Sequence, residues 1–349
     1  MQGKCGLFFT NYRQEAGLFI GGFQKIRFGL LFAALAACPL FLDSYYLSVL
    51  ILINIAVIGA VSLNLLTGCC GQISLGHGAF VGVGAYASAW FVQHCGLPFV
   101  PALFMGGLIS ALTGMIFGIP SLRLKGIYLA IATLAAQLIL EYVFLHWESV
   151  TGGTVGLPVD SPTIFGYVFD TDPKFFYMTL VAAVLTALAA SNIMRSKHGR
   201  AFVAIRDYYL SAEIVGVNLF SYKLMAFAVS SFMAGVAGGL WGHYTMYITP
   251  EPFGISLSIS YLAMIIIGGL GSIQGAVFGA VFITLLPEVL SFLATFIGGI
   301  FPDISTHLLA MKGGVFGLVL VLFLIFEPEG MAYRWRLFKA YWKLYPFAH

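Results

Sequence analysis

Tyr45 to Leu66 reads YYLSVLILINIAVIGAVSLNLL and contains no Asp, Glu, Lys or Arg. A helix needs about 20 such residues to cross the roughly 30 Å hydrocarbon layer of a bilayer. The rest of the chain agrees with it. Of the 349 residues, 60% are hydrophobic and 9% charged, and the mean hydropathy is +0.95, which excludes a soluble globular domain. The 41 glycines fit helices that pack closely within lipid. The expected fold class is an all-α, polytopic integral membrane helical bundle.

Apolar runs place spans at Phe28–Leu42, Tyr45–Leu66, Ala79–Cys95, Phe99–Ile119, Ile127–His146, Phe175–Ile193, Leu224–Trp241, Ile255–Gly268, Ala276–Phe296 and Leu308–Phe326. This gives about ten transmembrane helices, or eight to ten if segments beside the glycine-rich turns enter and return. Basic residues fix the orientation. Lys4, Arg13, Lys25 and Arg27 precede the first span, Arg123 and Lys125 follow the fourth, and Arg334, Arg336, Lys339 and Lys343 follow the last. With the group between spans six and seven they lie on one side, so both termini are expected in the cytoplasm. Lys174 and Lys312 break the pattern near span ends, where their long stems can snorkel to the interface. Residues 1–27 lack an apolar core followed by a cleavage site and are read as an interfacial segment. Residues 28–326 form the membrane domain, and 327–349 a cytoplasmic amphipathic tail.

Two loops are long. Met194 to Lys223 carries Arg195, Lys197, Arg200, Arg206 and Lys223 and predicts short helices at the cytoplasmic surface, broken near Tyr208–Ser211 or at Gly216. A soluble partner would push there, and Arg206 is expected to meet anionic lipid headgroups. The outward loop 147–173 is rich in Gly, Pro, Thr and Asp, predicting turns with a short strand or helix; it is either a connector or a docking surface.

Thr67 to Gly84 reads TGCCGQISLGHGAFVGVG. Each interior glycine costs a helix about 1 kcal/mol relative to alanine, so Gly71, Gly76 and Gly78 predict a helix break. Broken backbone inside a membrane is tolerated where protein buries it or where it lines a wet cavity. Two readings follow: a discontinuous helix beside a pathway, with Gln72, Ser74 and His77 lining it, or a tight packing turn. Gly268 to Gly279 (GGLGSIQGAVFG) shares the Gly-x-x-Gly start and the Gly-Ala-x-x-Gly end. It adds Gly268 and Gly271 as hinges and predicts an internal repeat.

No phosphate cradle, serine elbow or paired histidine ligands are present, so neither ATP hydrolysis nor metal catalysis is expected of this chain. The cysteines are read as small apolar fillers. Glu141 and Glu288 are the ionisable residues within spans, and Gln137 shares a helix face with Glu141. Asn54 and Asn64 predict interhelical hydrogen bonds; Trp241, His243, Tyr244 and Tyr247 predict an interfacial belt.

Leu63–Tyr86, Arg123–Pro158 with its Thr-Gly-Gly-x-x-Gly turn, and Gly199–Asn218 with the spans through Pro287-Glu288 resemble the branched-chain amino acid ABC transporter permease family, in its M-type. Cys69 and Cys70 depart from the usual pattern. The resemblance implies a bacterial inner-membrane importer subunit that is not itself an enzyme and binds no cofactor. ATP would be used by two cytoplasmic ATPase subunits. A paralogous H-type permease would complete the channel, and a periplasmic or lipid-anchored binding protein would deliver substrate; no nucleic acid partner is expected. It also implies that Arg200, Arg206, Asp207, Ala212, Glu213 and Gly216 belong to the loop that couples to the ATPases. Relatives carry branched-chain or other amino acids, urea and short amides, or aromatic acids. An ion-coupled secondary transporter is the other class, and it would need paired intramembrane ionisable groups of which only Glu141 is a candidate.

Overall fold

The computed structural model describes residues 22–121, 124, 126–164, 166–300, 312–327 and 329–344. The apolar helices are α1 (Gly22–Phe41), α2 (Ser44–Leu63) with a π turn over Asn64–Cys69, α3 (His77–Cys95), α4 (Phe99–Ser121) and α5 (Ile127–His146). After the short α6 (Glu148–Thr151) come α7 (Asp172–Arg195), α8 (Lys197–Ile214), α9 (Leu219–Thr245), α10 (Ile255–Gly268), α11 (Ile273–Ile300), α12 (Lys312–Phe326) and α13 (Met331–Leu344). Among the described residues six helices are long and apolar enough to cross a membrane: Ser44–Cys69, Phe99–Pro120, Ile127–His146, Asp172–Arg195, Leu219–Thr245 and Ile273–Phe292. The chain is therefore a multi-pass helical membrane protein. α10, at 14 residues, reaches only about 21 Å, short of the roughly 30 Å layer.

Each expected span falls on a helix, although residues 308–311 of the last lie outside the described residues, as do 1–21 and 345–349 of the terminal segments. The seventh span begins earlier than expected, at Leu219, because Asn218 caps it by accepting the Ser221 N–H at 3.1 Å. This draws Lys223 out of the loop and into the first turns of α9, where it is buried.

α2 is apolar on every side and fills the centre, with Ile51, Ile55, Ile58, Leu63 and Leu66 buried against α7, α9, α10 and α11. A helix without a polar face belongs in a core. Beside it α3, α4 and α9 pack through small residues: a Cβ at Gly84 would overlap the Gly235 backbone, and one at Gly238 would overlap the Val81 carbonyl. Close backbone approach of this kind replaces the hydrophobic drive that lipid does not supply. Ser110 Oγ adds a bond to Phe80 O at 2.8 Å. Asn54 Nδ2 donates to Thr179 Oγ1 at 3.3 Å, as the sequence suggested.

The outer loop folds onto the α9–α10 connection. β1 (Leu157–Pro158) pairs antiparallel with β4 (Tyr247–Ile248), and β2 (Thr163–Ile164) with β3 (Tyr167–Val168). Gly152, Gly153 and Gly156 all adopt positive φ, which only glycine reaches without strain. The aromatic belt is only partly as expected. Tyr247 is exposed, but His243 is buried, its ring 4.8 Å from that of Phe99 and its Nδ1 2.9 Å from Gly239 O. Of the cysteines, Cys69 and Cys70 are buried, whereas Cys95 is exposed at the end of α3; Cys5 lies outside the described residues.

Candidate functional site

The backbone leaves helical geometry after the π turn and resumes it at His77. Gly71 makes the turn at φ +73°, and burial alternates along the irregular stretch that follows: Gly71 and Ile73 are exposed and Leu75 half-buried, while Gln72, Ser74 and Gly76 are buried. The alternation sends the polar side chains into the protein and the apolar ones outward.

The inward side is built to hold the free N-terminus of α3, whose first N–H groups have no intrahelical acceptors. Neighbouring helices supply them. Gln137 Oε1 accepts the Ala79 N–H at 2.8 Å, Ser258 Oγ accepts that of Gly78 at 2.8 Å, and Thr133 Oγ1 accepts that of Leu75 at 2.9 Å. Ser258 donates in turn to Gln137 Oε1 at 3.1 Å, and Gln137 Nε2 donates to Phe253 O at 2.7 Å. Gly76 passes so close to α5 that a Cβ there would lie 2.5 Å from Thr133 O. His77 closes the cluster: its Nε2 is 2.8 Å from Ser62 Oγ and 3.1 Å from Gly59 O. Ser62 gives its proton to Gly59 O at 2.6 Å, so Nε2 must carry the ring proton to bond Ser62.

Four of the residues assigned to a pathway from sequence (Gln72, Ser74, His77 and Gln137) thus have buried side chains, and Glu141 is half-buried one turn beyond Gln137, beside Gly254. Gly78 lies inside the first turn of α3 rather than at the break. There a Cβ would come 2.9 Å from Gly254 O, so the residue serves close packing. The pathway set expected from sequence holds only the polar members of the Gln72-Ile73-Ser74-Leu75 alternation, because polarity marks such residues and leaves Ile73 and Leu75 out. Leu75 borders an apolar cavity of about 280 Å³ shared with Ile259, Leu262, Ala263, Ile266, Ile267 and Leu320. Glu288 bonds the Tyr45 hydroxyl.

The second glycine-rich turn meets the first. Gly271 has φ +77°, close to that of Gly71, and its N–H donates to Asn64 Oδ1 at 2.9 Å. A Cβ at Gly68 would overlap the Gly271 nitrogen. The tail helix α13 rests against this turn: a Cβ at Gly269 would lie 3.3 Å from that of Ala332, and Trp335 packs on Phe278 with ring centres 6.0 Å apart. Trp335, Phe338 and Trp342 form an exposed stripe along it.

The basic island is one helical stretch kinked at Tyr208 (φ −158°, ψ 92°), within the range expected, and it ends at Gly216 with φ +94°. Ser196 caps it by accepting the His198 N–H at 3.1 Å. Arg200 and Glu213 are exposed, but Ala212 is buried. Ile214 and Val215, at the tip, are 86% and 83% exposed. Arg206, whose side chain stays 38% exposed, turns its guanidinium toward the first helix break. Its Nη1 donates to Gly68 O at 3.0 Å, and its Nε and Nη2 both lie 2.9 Å from Asp207 Oδ1.

Residues 45–324 match the family described as branched-chain amino acid transport system / permease component. The chain is 30% identical over 332 residues to the LivM permease protein of the high-affinity branched-chain amino acid transport system of Salmonella typhimurium, covering 88% of this chain and 75% of that protein. The LivM protein of Escherichia coli gives the same identity and coverage. A permease protein of an autoinducer 2 import system, LsrC of Salmonella paratyphi B, is 28% identical over 52% of this chain and 55% of its own. No solved structure matches the chain.

Proposed function

Since the chain belongs to the family of permease components of branched-chain amino acid transport systems, we propose that it forms half of the translocation path of an ATP-driven importer for branched-chain amino acids. A paralogous permease supplies the other half, two ATPase subunits bind its cytoplasmic face, and a binding protein delivers substrate on the outer side of a bacterial inner membrane. Both termini lie in the cytoplasm.

The observation that carries this reading is the tip of α8. Ile214 and Val215 are among the most exposed large hydrophobic residues described, and they sit on a helix too polar to enter lipid, with Lys197, Arg200, Arg206 and Asp207. An apolar pair on such a helix is stabilised when a soluble partner covers it. The substrate reading is supported by the outward turn of Ile73 and Leu75, whose methyl groups suit an aliphatic side chain better than urea or a short amide. The ATP-driven class is favoured over an ion-coupled transporter by the family to which the chain belongs.

The test is transport by the complete complex in proteoliposomes. Leucine uptake should require ATP and all subunits, and Glu213→Lys combined with Gly216→Trp should abolish it while the permease pair remains assembled. Uptake by the permeases without ATPase, or full uptake by the double variant, would defeat the reading.

A further inference from the structure

Arg206 stands where α8 and the two helix breaks converge. Its guanidinium Nη1 donates to Gly68 O, at the end of the π turn, over 3.0 Å. The backbone of Gly71 lies against its stem: a Cβ at Gly71 would come 3.1 Å from Arg206 Cγ and 3.2 Å from its Cα. From the other side, a Cβ at Gly271 would come 2.7 Å from Arg206 Nη1 and 3.0 Å from Gly68 O. Asn64, in the same π turn, holds the Gly271 N–H at 2.9 Å. One side chain therefore bonds the first break, touches the second, and belongs to the helix that faces the cytoplasm.

Its aim is set by Asp207. That carboxylate takes Nε and Nη2, both at 2.9 Å, and leaves Nη1 for Gly68. The next residue, Tyr208, is the kink that separates Arg206 from the exposed arm ending at Ile214. Below the break a cavity of about 150 Å³, bordered by Cys70, Gly71, Gln72, Ile205 and Arg206 among others, leaves room for movement. Two glycines in left-handed backbone conformation are suited to pivot, since neither has a side chain to strike its neighbours.

We propose that Arg206 is the positioning residue that transmits movement of α8 to both helix breaks at once. The inference rests on the importer reading above. Tilting the arm beyond Tyr208 shifts the guanidinium, which carries Gly68 with it through a charge-assisted bond, and Gly271 follows through Asn64. A lysine cannot replace it fully, because a single ammonium lacks the fork that binds Asp207 and Gly68 together.

The experiment uses the full complex in proteoliposomes and records leucine uptake, ATP hydrolysis and subunit assembly for wild type, Arg206→Gln and Arg206→Lys. Loss of a bond to a charged group predicts a fall of about tenfold or more in leucine carried per ATP hydrolysed for Arg206→Gln, with assembly and hydrolysis retained and Arg206→Lys in between. In Arg206→Gln, a cysteine placed at Ile73 should lose the change in thiol reactivity that ATP trapping produces in wild type. An unchanged ratio of uptake to hydrolysis overturns the proposal, and so does a parallel loss of both in an assembled complex. If Arg206→Gln fails to assemble, Asp207→Asn takes its place, removing only the charge that aims the guanidinium, and the same two results decide. Absence of ATP-dependent uptake in wild type would instead sink the importer reading.

Discussion

Gln137 accepts the N–H of Ala79 at 2.8 Å, so a side chain of α5 caps the first turn of α3 from outside that helix. The same amide donates to Phe253 O at 2.7 Å, which ties the break to the chain just before α10. Helix ends are usually capped by the preceding residue, but Gly76 has no side chain to offer. The cap is therefore long-range, and the break can be only as stable as the packing of α5.

Replacing Gln137 with Leu keeps the size of the side chain and leaves the Ala79 N–H and the Phe253 carbonyl without partners. The expected cost is about 1–3 kcal/mol for each buried group left unsatisfied. Thermal unfolding of the detergent-solubilised protein should show a clearly lowered midpoint, and leucine uptake should fall with it. An unchanged midpoint would mean that water replaces the amide.

The outward alternation of the break makes a positional prediction. In a background without native cysteines, single cysteines at Ile73 and Leu75 should react with a small water-soluble thiol reagent in the assembled importer. Cysteines at Gln72 and Ser74, whose side chains are buried, should stay inert. The reverse order would place the pathway on the inward face and support the first expectation from sequence.

Gly235→Val introduces branches where a Cβ alone would already lie 2.6 Å from Ser110 Cβ and 3.0 Å from Gly107 Cα. Overpacking of a close core costs roughly 1–3 kcal/mol, and α9 would be forced away from α3 and α4. Poor yield of folded protein by size-exclusion chromatography is expected. Gly314→Ala, with nothing within 4 Å of the added carbon, should behave as wild type.

Ile214→Asp with Val215→Asp should weaken ATPase binding without altering the permease. Both side chains are exposed in this chain, so its folding stability should change by less than about 0.5 kcal/mol. Co-purification of the ATPase subunits should fall strongly. Full retention would move the docking surface elsewhere on α8.

Sequence alone determined the class of the molecule and the position of its helices, because runs such as Tyr45–Leu66 leave lipid as the only solvent that suits them. It also located both helix breaks, since glycines at 71 and 271 cannot hide their cost in a helix, and it located the kink near Tyr208. Asn54 joins two helices as its place in a span suggests, whereas Asn64 holds the N–H of Gly271 in the second glycine-rich turn. What the tertiary structure decided is where side chains point. His77, Gln72 and Ser74 look alike as pathway residues in a linear reading, yet in the fold His77 Nε2 is held between Ser62 and Gly59 O while Gln72 borders the cavity below the break. Arg206 looks like a surface charge, and its true partner, Gly68 O, is distant in sequence and carries no side chain to betray it. Backbone groups freed at helix ends are invisible in a sequence, because every residue has them; only packing shows which are left over and which side chain is close enough to satisfy them.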